Sequence, residues 1–224
     1  MTKPLIIFDL DGTLVDTAPD LMSSLNHVLE ADGLEPVDYA SINTLVGQGA
    51  RSMIERAYEL REATLEPERL QQHMDLLRAH YMAEMPGQSR PFPGAVAALE
   101  RLKQEGFQFA VCTNKLEDMA RPLLEKLELS VWFSAVAGGD TFAVKKPDAR
   151  HVLGTIELAG GTREAAIMIG DSVNDIKAAA NAGIPSIAVP FGYSDVPVDQ
   201  LSPNAIIEHF DDLTPDLVTA LLRK

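Results

Sequence analysis

Cysteine is almost missing from this sequence. Cys112 is the only one in 224 residues, so no intramolecular disulfide can form and a thiolate zinc site lacks its ligands. Its neighbours, Phe109-Ala-Val111, predict a buried strand in which the thiol is a small core group rather than a reactive one. Aromatic residues make up only 6%, and the single tryptophan, Trp132, is expected to pack with Phe133 beside a sheet. No apolar run approaches the roughly 20 residues of a membrane span. The first such run, Leu5 to Phe8, is too short for the core of a signal peptide, and a cytoplasmic location is the expectation. Positive charge is also scarce: 19 Lys and Arg face 33 Asp and Glu, for a net charge of −14. Such a surface repels nucleic-acid phosphates and anionic membranes, so neither is expected as a partner. A small anionic ligand can still bind where a metal ion and a few lysines reverse the local field.

The composition that remains is ordinary for a globular protein, with 46% hydrophobic and 23% charged residues. A chain of this length buries roughly 70% of its unfolded surface without staples, as a monomer or a small homo-oligomer. Pro4-Leu-Ile-Ile-Phe-Asp9 is a short apolar run that stops at an acidic turn, as a buried parallel strand does. Similar runs occur at Gln108 to Thr113, Ala135 to Gly138, Ala166 to Gly170 and Ser186 to Val189. Helical patterns separate them at Ala95 to Gln104, Glu117 to Leu127, Ala149 to Leu158 and Asn174 to Ala182. The alternation predicts a doubly wound α/β fold, with a parallel, Rossmann-like sheet.

Residues 16–88 interrupt that alternation with helical patterns at Ala18 to Ala31, Ser52 to Glu62 and Pro67 to Met85, and with no convincing strand. The turn-rich stretch Pro86 to Gly94 reads as the return linker. The expected organisation is an α/β core from residues 1–15 and 89–224, with an inserted helical cap from 16–88. In open parallel sheets, ligands bind beyond the carboxyl ends of the strands. The polar groups expected there are Asp9 and Asp11, Thr113 to Lys115, and Asp171 with Asp175.

Asp9-Leu-Asp11 alone is weak, since 17 Asp residues give about one Asp-x-Asp pair by chance. Its place after a strand and before Gly12-Thr13, whose N–H groups could face an anion, makes it stronger. Thr113 and Asn114 can donate to phosphate oxygens, or the segment can cap the next helix. Lys145-Lys146-Pro147 supplies positive charge, although an isolated pair is usually solvated. Met168-Ile-Gly-Asp171 puts a carboxylate at a strand end, and Asp175 falls in the first turn of the following helix. Oxygen ligands from Asp9 and Asp171 suit octahedral Mg²⁺. Four strand ends thus bring the group types that phosphoryl transfer needs. The five histidines, His27, His73, His80, His151 and His209, form no catalytic set.

Phe8-Asp-Leu-Asp-Gly-Thr-Leu-Val-Asp16, Val111-Cys-Thr-Asn114, Lys146-Pro147 and Gly170-Asp-Ser-Val-Asn-Asp175 resemble the four motifs of the haloacid dehalogenase-like superfamily, in its order. Val46-Gly-Gln-Gly-Ala50, Pro93-Gly94, Thr113-Asn-Lys115, Gly138-Gly-Asp140 and Lys145-Lys-Pro-Asp148 look most like its phosphoglycolate phosphatase branch. The resemblance implies that Asp9 is a nucleophile forming an aspartyl-phosphate and that Asp11 is the acid and base. It implies that Mg²⁺ is held by Asp9, the Asp11 carbonyl and Asp171. Gly12, Thr113 and Asn114 would hold the phosphoryl group, Lys146 would neutralise it, and Asp175 would support Lys146 or a metal-bound water. Arg51, beside Gly47-Gln48-Gly49, is expected to pair with a substrate carboxylate. The expected substrate is a small phosphorylated metabolite, foremost 2-phosphoglycolate. A β-phosphoglucomutase-like mutase or a pyrophosphatase shares the core motifs. A dehalogenase would ordinarily lack the second aspartate, and a phospho-acceptor signalling module would lack the helical insertion.

Overall fold

The computed structural model describes residues 3–46 and 49–223. Strand β1 (Leu5–Phe8) is wholly buried and pairs in parallel on both sides, with β4 (Gln108–Cys112) and with β6 (Ala166–Gly170). The register sets Leu5 opposite Gln108 and Ala166, and Phe8 opposite Val111 and Ile169. Outward from this centre, β5 (Ala135–Ala137) adds to β4, while β7 (Ser186–Ala188) and then β8 (Ala205–Ile206) add beside β6. All these pairings are parallel, so the sheet needs cover on both faces.

Alternation along β1 divides the apolar residues between two cores, because successive side chains leave a strand on opposite faces. Leu5 and Ile7 join a cluster with α7 (Ala149–Leu158) and α8 (Val173–Ala182) through Val152, Ile156, Ala178 and Ala179. Ile6 and Phe8 join the larger cluster, which takes in α5 (Ala95–Gln104), α6 (Glu117–Lys126) and α9 (Pro215–Leu222). Each fully buried aliphatic or Phe side chain is worth about 1.5–3 kcal/mol, so this central strand anchors both layers. Cys112 lies buried at the end of β4, where burial pushes its thiol up to about 11. It is therefore inert at neutral pH.

The larger core continues into the helical insertion, which holds α1 (Ala18–Ala31), α2 (Ile42–Leu45), α3 (Ala50–Leu60) and α4 (Pro67–Glu84). The amphipathic face of α1 buries Leu21, Leu25 and Leu29 against α4. A polar knot ties the insertion together. Asp32, at the end of α1, accepts from the Tyr58 hydroxyl of α3 (2.5 Å), and it pairs with His73 (3.0 Å) and Arg69 (2.6 Å) of α4. Among the described residues, no helix is long and apolar enough to cross a membrane.

The predicted helices at Ala18–Ala31, Ala95–Gln104 and Ala149–Leu158 form with those bounds. Some elements leave no pattern in the sequence. The insertion is framed by a two-residue antiparallel ribbon, β2 (Val15–Asp16) with β3 (Arg90–Pro91), so the return segment is partly strand. A ribbon this short has no period for a sequence to display. β8 and α9 were not anticipated either. Phe133 does pack edge-on to Phe8 of the sheet, at 6.3 Å.

Candidate active site

The chain runs outward from β1 to β4 and β5, then returns to the other side at β6. The strand order therefore reverses at β1, and a crevice opens at the carboxyl edge there. Asp9 follows β1, Thr113 follows β4 and Asp171 follows β6. The loop between β5 and α7 delivers Lys146, whose peptide bond to Pro147 is cis.

Lys146 is the electrostatic centre. Its side chain is 1% exposed, and its ammonium lies 2.8 Å from Asp9 Oδ1 and 2.5 Å from Asp175 Oδ1. Both acids hold it firmly protonated, above its usual range, against the opposing effect of burial. Its backbone is fixed as well: the N–H donates to His151 Nδ1 (3.1 Å), and the carbonyl accepts from Asn114 Nδ2 (3.0 Å). Burial and the Lys146 charge press His151 down to about 4, so it stays a neutral acceptor. Asp175 Oδ2 accepts from the Ser172 N–H (3.0 Å) and hydroxyl (2.6 Å), closing a cap at the start of α8. Asp175 is thus both a helix cap and the counter-ion of Lys146.

Asp9 Oδ1 also accepts from the Leu10 N–H at 2.7 Å. Asp171 accepts from the Thr13 hydroxyl at Oδ1 and from the Tyr193 N–H at Oδ2, each at 2.8 Å. Ligand atoms of Asp9, Asp171 and Asp175 lie within 4.8 Å of one another. Burial first, then the charge of Asp175, raises Asp9 to about 7. Burial, then Asp175 and Asp9, raises Asp171 to about 8. Asp11 lies beside them, in a pair with the buried Lys115 (3.0 and 3.2 Å), and accepts from the Thr17 hydroxyl at 2.7 Å. Asp9, Asp11, Asp171 and Asp175 face Lys115 and Lys146, which leaves two negative charges: the charge that one divalent cation neutralises. Hard carboxylate oxygens are the donors that Mg²⁺ takes, so the residues present fit that ion. Asp175 is held by the Lys146 ammonium through Oδ1 and by Ser172 through Oδ2, whereas Asp171 accepts only from neutral donors and Asp9 meets Lys146 through Oδ1 alone, so Asp9 and Asp171 are the better-disposed ligands.

Three expected residues behave differently. The Gly12 N–H donates to the Val15 carbonyl (3.0 Å) and closes a turn, so it is not directed at a ligand. Glycine is needed there for another reason. At φ +82°, an added Cβ would lie 2.6 Å from Asp171 Oδ2. Asn114 spends its amide N–H on the Lys146 carbonyl, and its buried Oδ1 has no partner among the described residues. Arg51 lies on α3 with its side chain 68% exposed, paired with Glu55 (2.9 Å) one turn along. It lines a groove of about 300 Å³ with Glu55, Tyr58 and Glu59. The structure does not bring it to the carboxylate cluster, because the acid one turn away is a nearer partner. Gly47 and Gln48 lie outside the described residues.

Thr13, Thr17, Ser172, His151 and Tyr193 take side-chain roles at the site that the motifs do not announce. Tyr193 joins two ends of the site: its N–H holds Asp171, while its hydroxyl donates to Asp16 Oδ1 (2.5 Å) and accepts from the Ala18 N–H (3.0 Å), where the insertion begins. Only the Ser172-to-Asp175 spacing carried a usable signal, that of a capping box.

The haloacid dehalogenase-like hydrolase family matches residues 6–189 of this chain. A phosphoglycolate phosphatase of Agrobacterium fabrum is 57% identical over 222 residues, covering 99% of this chain and 95% of that protein. One from Mesorhizobium japonicum is 48% identical over 223 residues, with 100% and 98% covered. A crystal structure from Haemophilus somnus, described as a predicted phosphoglycolate phosphatase, superposes with a TM-score of 0.88. It is 30% identical and covers 95% of this chain and 97% of its own.

Proposed function

Because the chain belongs to the haloacid dehalogenase-like hydrolase family, we propose that it is a Mg²⁺-dependent phosphatase that hydrolyses 2-phosphoglycolate to glycolate and phosphate through an aspartyl-phosphate on Asp9. One observation carries the chemistry: an aspartate at the central strand end, 2.8 Å from a lysine that is itself locked between two acids. The substrate reading is supported by the full-length relatives named for that activity. Residues 16–88 form the cap over residues 1–15 and 89–224.

Asp9 Oδ1 already takes hydrogen bonds from Lys146 and Leu10, which leaves Oδ2 to attack phosphorus. The P–O bond to glycolate breaks, and Asp11 supplies the proton that the leaving oxygen needs. Water then attacks the acyl-phosphate, Asp11 takes its proton, and Asp9 is regenerated. Lys146 and the Thr113 hydroxyl stabilise charge on the phosphoryl oxygens, and Asn114 acts through the Lys146 backbone. Asp9, Asp171 and the Asp11 main chain would hold Mg²⁺, which would supply positive charge to keep Asp9 ionised and offset the incoming phosphate.

A panel of substrates tests the reading. kcat/KM for 2-phosphoglycolate should exceed that for hexose phosphates and pyrophosphate by about 100-fold or more. Equal or inverted values would favour the mutase or pyrophosphatase alternatives.

The raised carboxyls also predict a pH dependence. Asp9 and Asp171 bind protons more tightly folded (about 7 and 8) than at the usual 3.8. Their contribution to stability is therefore present below about pH 4 and lost as pH rises through 7–8. Metal-free protein should lose melting temperature on this account between those limits, and added Mg²⁺ should raise it more at the alkaline end. Calorimetric titration in buffers of different ionisation heat should register protons released on Mg²⁺ binding. A Mg²⁺ effect that is independent of pH would contradict the assignment.

A further inference from the structure

Resting on the phosphoglycolate reading, we propose that Lys115, with the Tyr81 hydroxyl, recognises the carboxylate of the substrate, the role that the sequence suggested for Arg51. Lys115 is almost fully buried, with its side chain 3% exposed, and its ammonium lies 3.0 Å from Asp11 Oδ1. Among the described residues, only Lys115 and Lys146 pair with the carboxylates of the site, and Lys146 is held by Asp9 and Asp175. In 2-phosphoglycolate a single methylene separates the ester oxygen from the carboxylate carbon, about 2.4 Å by ordinary bond lengths. A cation that reads this carboxylate must therefore stand next to the group that protonates the ester oxygen. That group is Asp11, and the cation beside it is Lys115.

Tyr81 adds an independent sign of a ligand. It comes from cap helix α4, and its ring lies 4.1 Å from the Lys115 ammonium. Its side chain is wholly buried, and among the described residues its hydroxyl meets only the Lys115 ammonium, without a well-aligned hydrogen bond. A buried hydroxyl without a well-aligned partner is costly unless a ligand completes its hydrogen bonding. Burial keeps this phenol above its usual range, so it remains an O–H donor. Lys115 carries three N–H groups, two of which can be taken up by the two Asp11 oxygens at 3.0 and 3.2 Å. The third, with the Tyr81 hydroxyl, makes a two-donor seat for one carboxylate. Asp11 is the open side of this seat, its side chain 20% exposed. α4 is pinned to the core by the Arg78–Asp118 ion pair and by Lys126 Nζ donating to the Met85 carbonyl (2.6 Å). The seat exists only while α4 covers the site, so substrate choice and cap position are read by the same residues.

The experiment compares kcat/KM for 2-phosphoglycolate with that for ethyl phosphate, which has no carboxylate, in wild type and in Lys115→Met, Tyr81→Phe and Arg51→Ala. The ratio between the two substrates should fall about 100-fold in Lys115→Met, as expected when one member of a buried charge pair is removed. It should fall about 5-fold in Tyr81→Phe, which keeps the ring and the Lys115–Asp11 pair. It should stay within about twofold in Arg51→Ala, whose partner is Glu55. If Lys115→Met does not fold, the Tyr81→Phe ratio decides. A preference that survives in both variants, or that collapses in Arg51→Ala instead, would overturn the assignment while leaving the phosphoglycolate reading intact. A wild-type enzyme with no preference for 2-phosphoglycolate would overturn that reading, and this inference with it.

Discussion

Asp9→Asn should lower phosphate release by about 10⁴-fold or more, because the carboxylate oxygen that bonds to phosphorus is replaced by an amide. The fold should survive. Asn keeps the shape of Asp, the Leu10 N–H keeps an acceptor, and Lys146 retains Asp175 at 2.5 Å. Stability should move in the opposite direction to activity. Burial and the Asp175 charge make the ionised form of Asp9 costly in the metal-free protein. Removing that charge should therefore raise the melting temperature at alkaline pH, where Asp9 is ionised, and change it little at or below about pH 4. Thermal melts at both pH values, beside a phosphate-release assay, separate loss of chemistry from loss of fold. Retention of more than a tenth of wild-type activity would contradict covalent catalysis by Asp9.

Lys146→Met carries the second large effect. The substitution keeps most of the buried volume and removes the charge, so it isolates the electrostatic role. Turnover should fall about 10²–10³-fold, the usual loss when one preorganised group is removed from a transition-state site. Stability should fall too, since Asp175 is wholly buried and would lose its counter-ion. Breaking one side of a buried pair costs about 3–5 kcal/mol. That loss should shrink as pH falls below 7, where the neighbouring carboxyls take up protons. Denaturant melts at two pH values test the sign. A variant as stable as wild type at neutral pH would mean that Lys146 is not the charge that holds the cluster together.

The parts of the site that sequence made legible share one physical feature: they end apolar strands. Asp9 and Asp171 stand where short buried runs stop, and a parallel sheet can put those ends only at one edge. The first helix of the insertion was readable from its apolar period and the Pro near its start. Contacts between distant segments were not readable. Lys115 reaches Asp11 across 104 positions and Tyr193 reaches Asp16 across 177, and neither pairing leaves a local pattern. His151 looked like any helical histidine, and only the fold shows its Nδ1 accepting the Lys146 N–H. Gly12 was legible only in part. Its place in the turn was visible, but the close approach of Asp171 that forbids a Cβ comes from β6, far along the chain. Arg51 sits apart for a simpler reason: Glu55, one turn away, is a partner that any helix would offer.

The central claim is a covalent bond between Asp9 and phosphorus, and trapping that bond tests it most directly. The protein with Mg²⁺ would be mixed with radiolabelled 2-phosphoglycolate, quenched in acid during turnover, digested, and the label mapped by mass spectrometry. The account predicts label on the peptide containing Asp9, removed by hydroxylamine as an acyl-phosphate should be, and absent from Asp9→Asn. Label on another residue, or persistent label in Asp9→Asn, would contradict it.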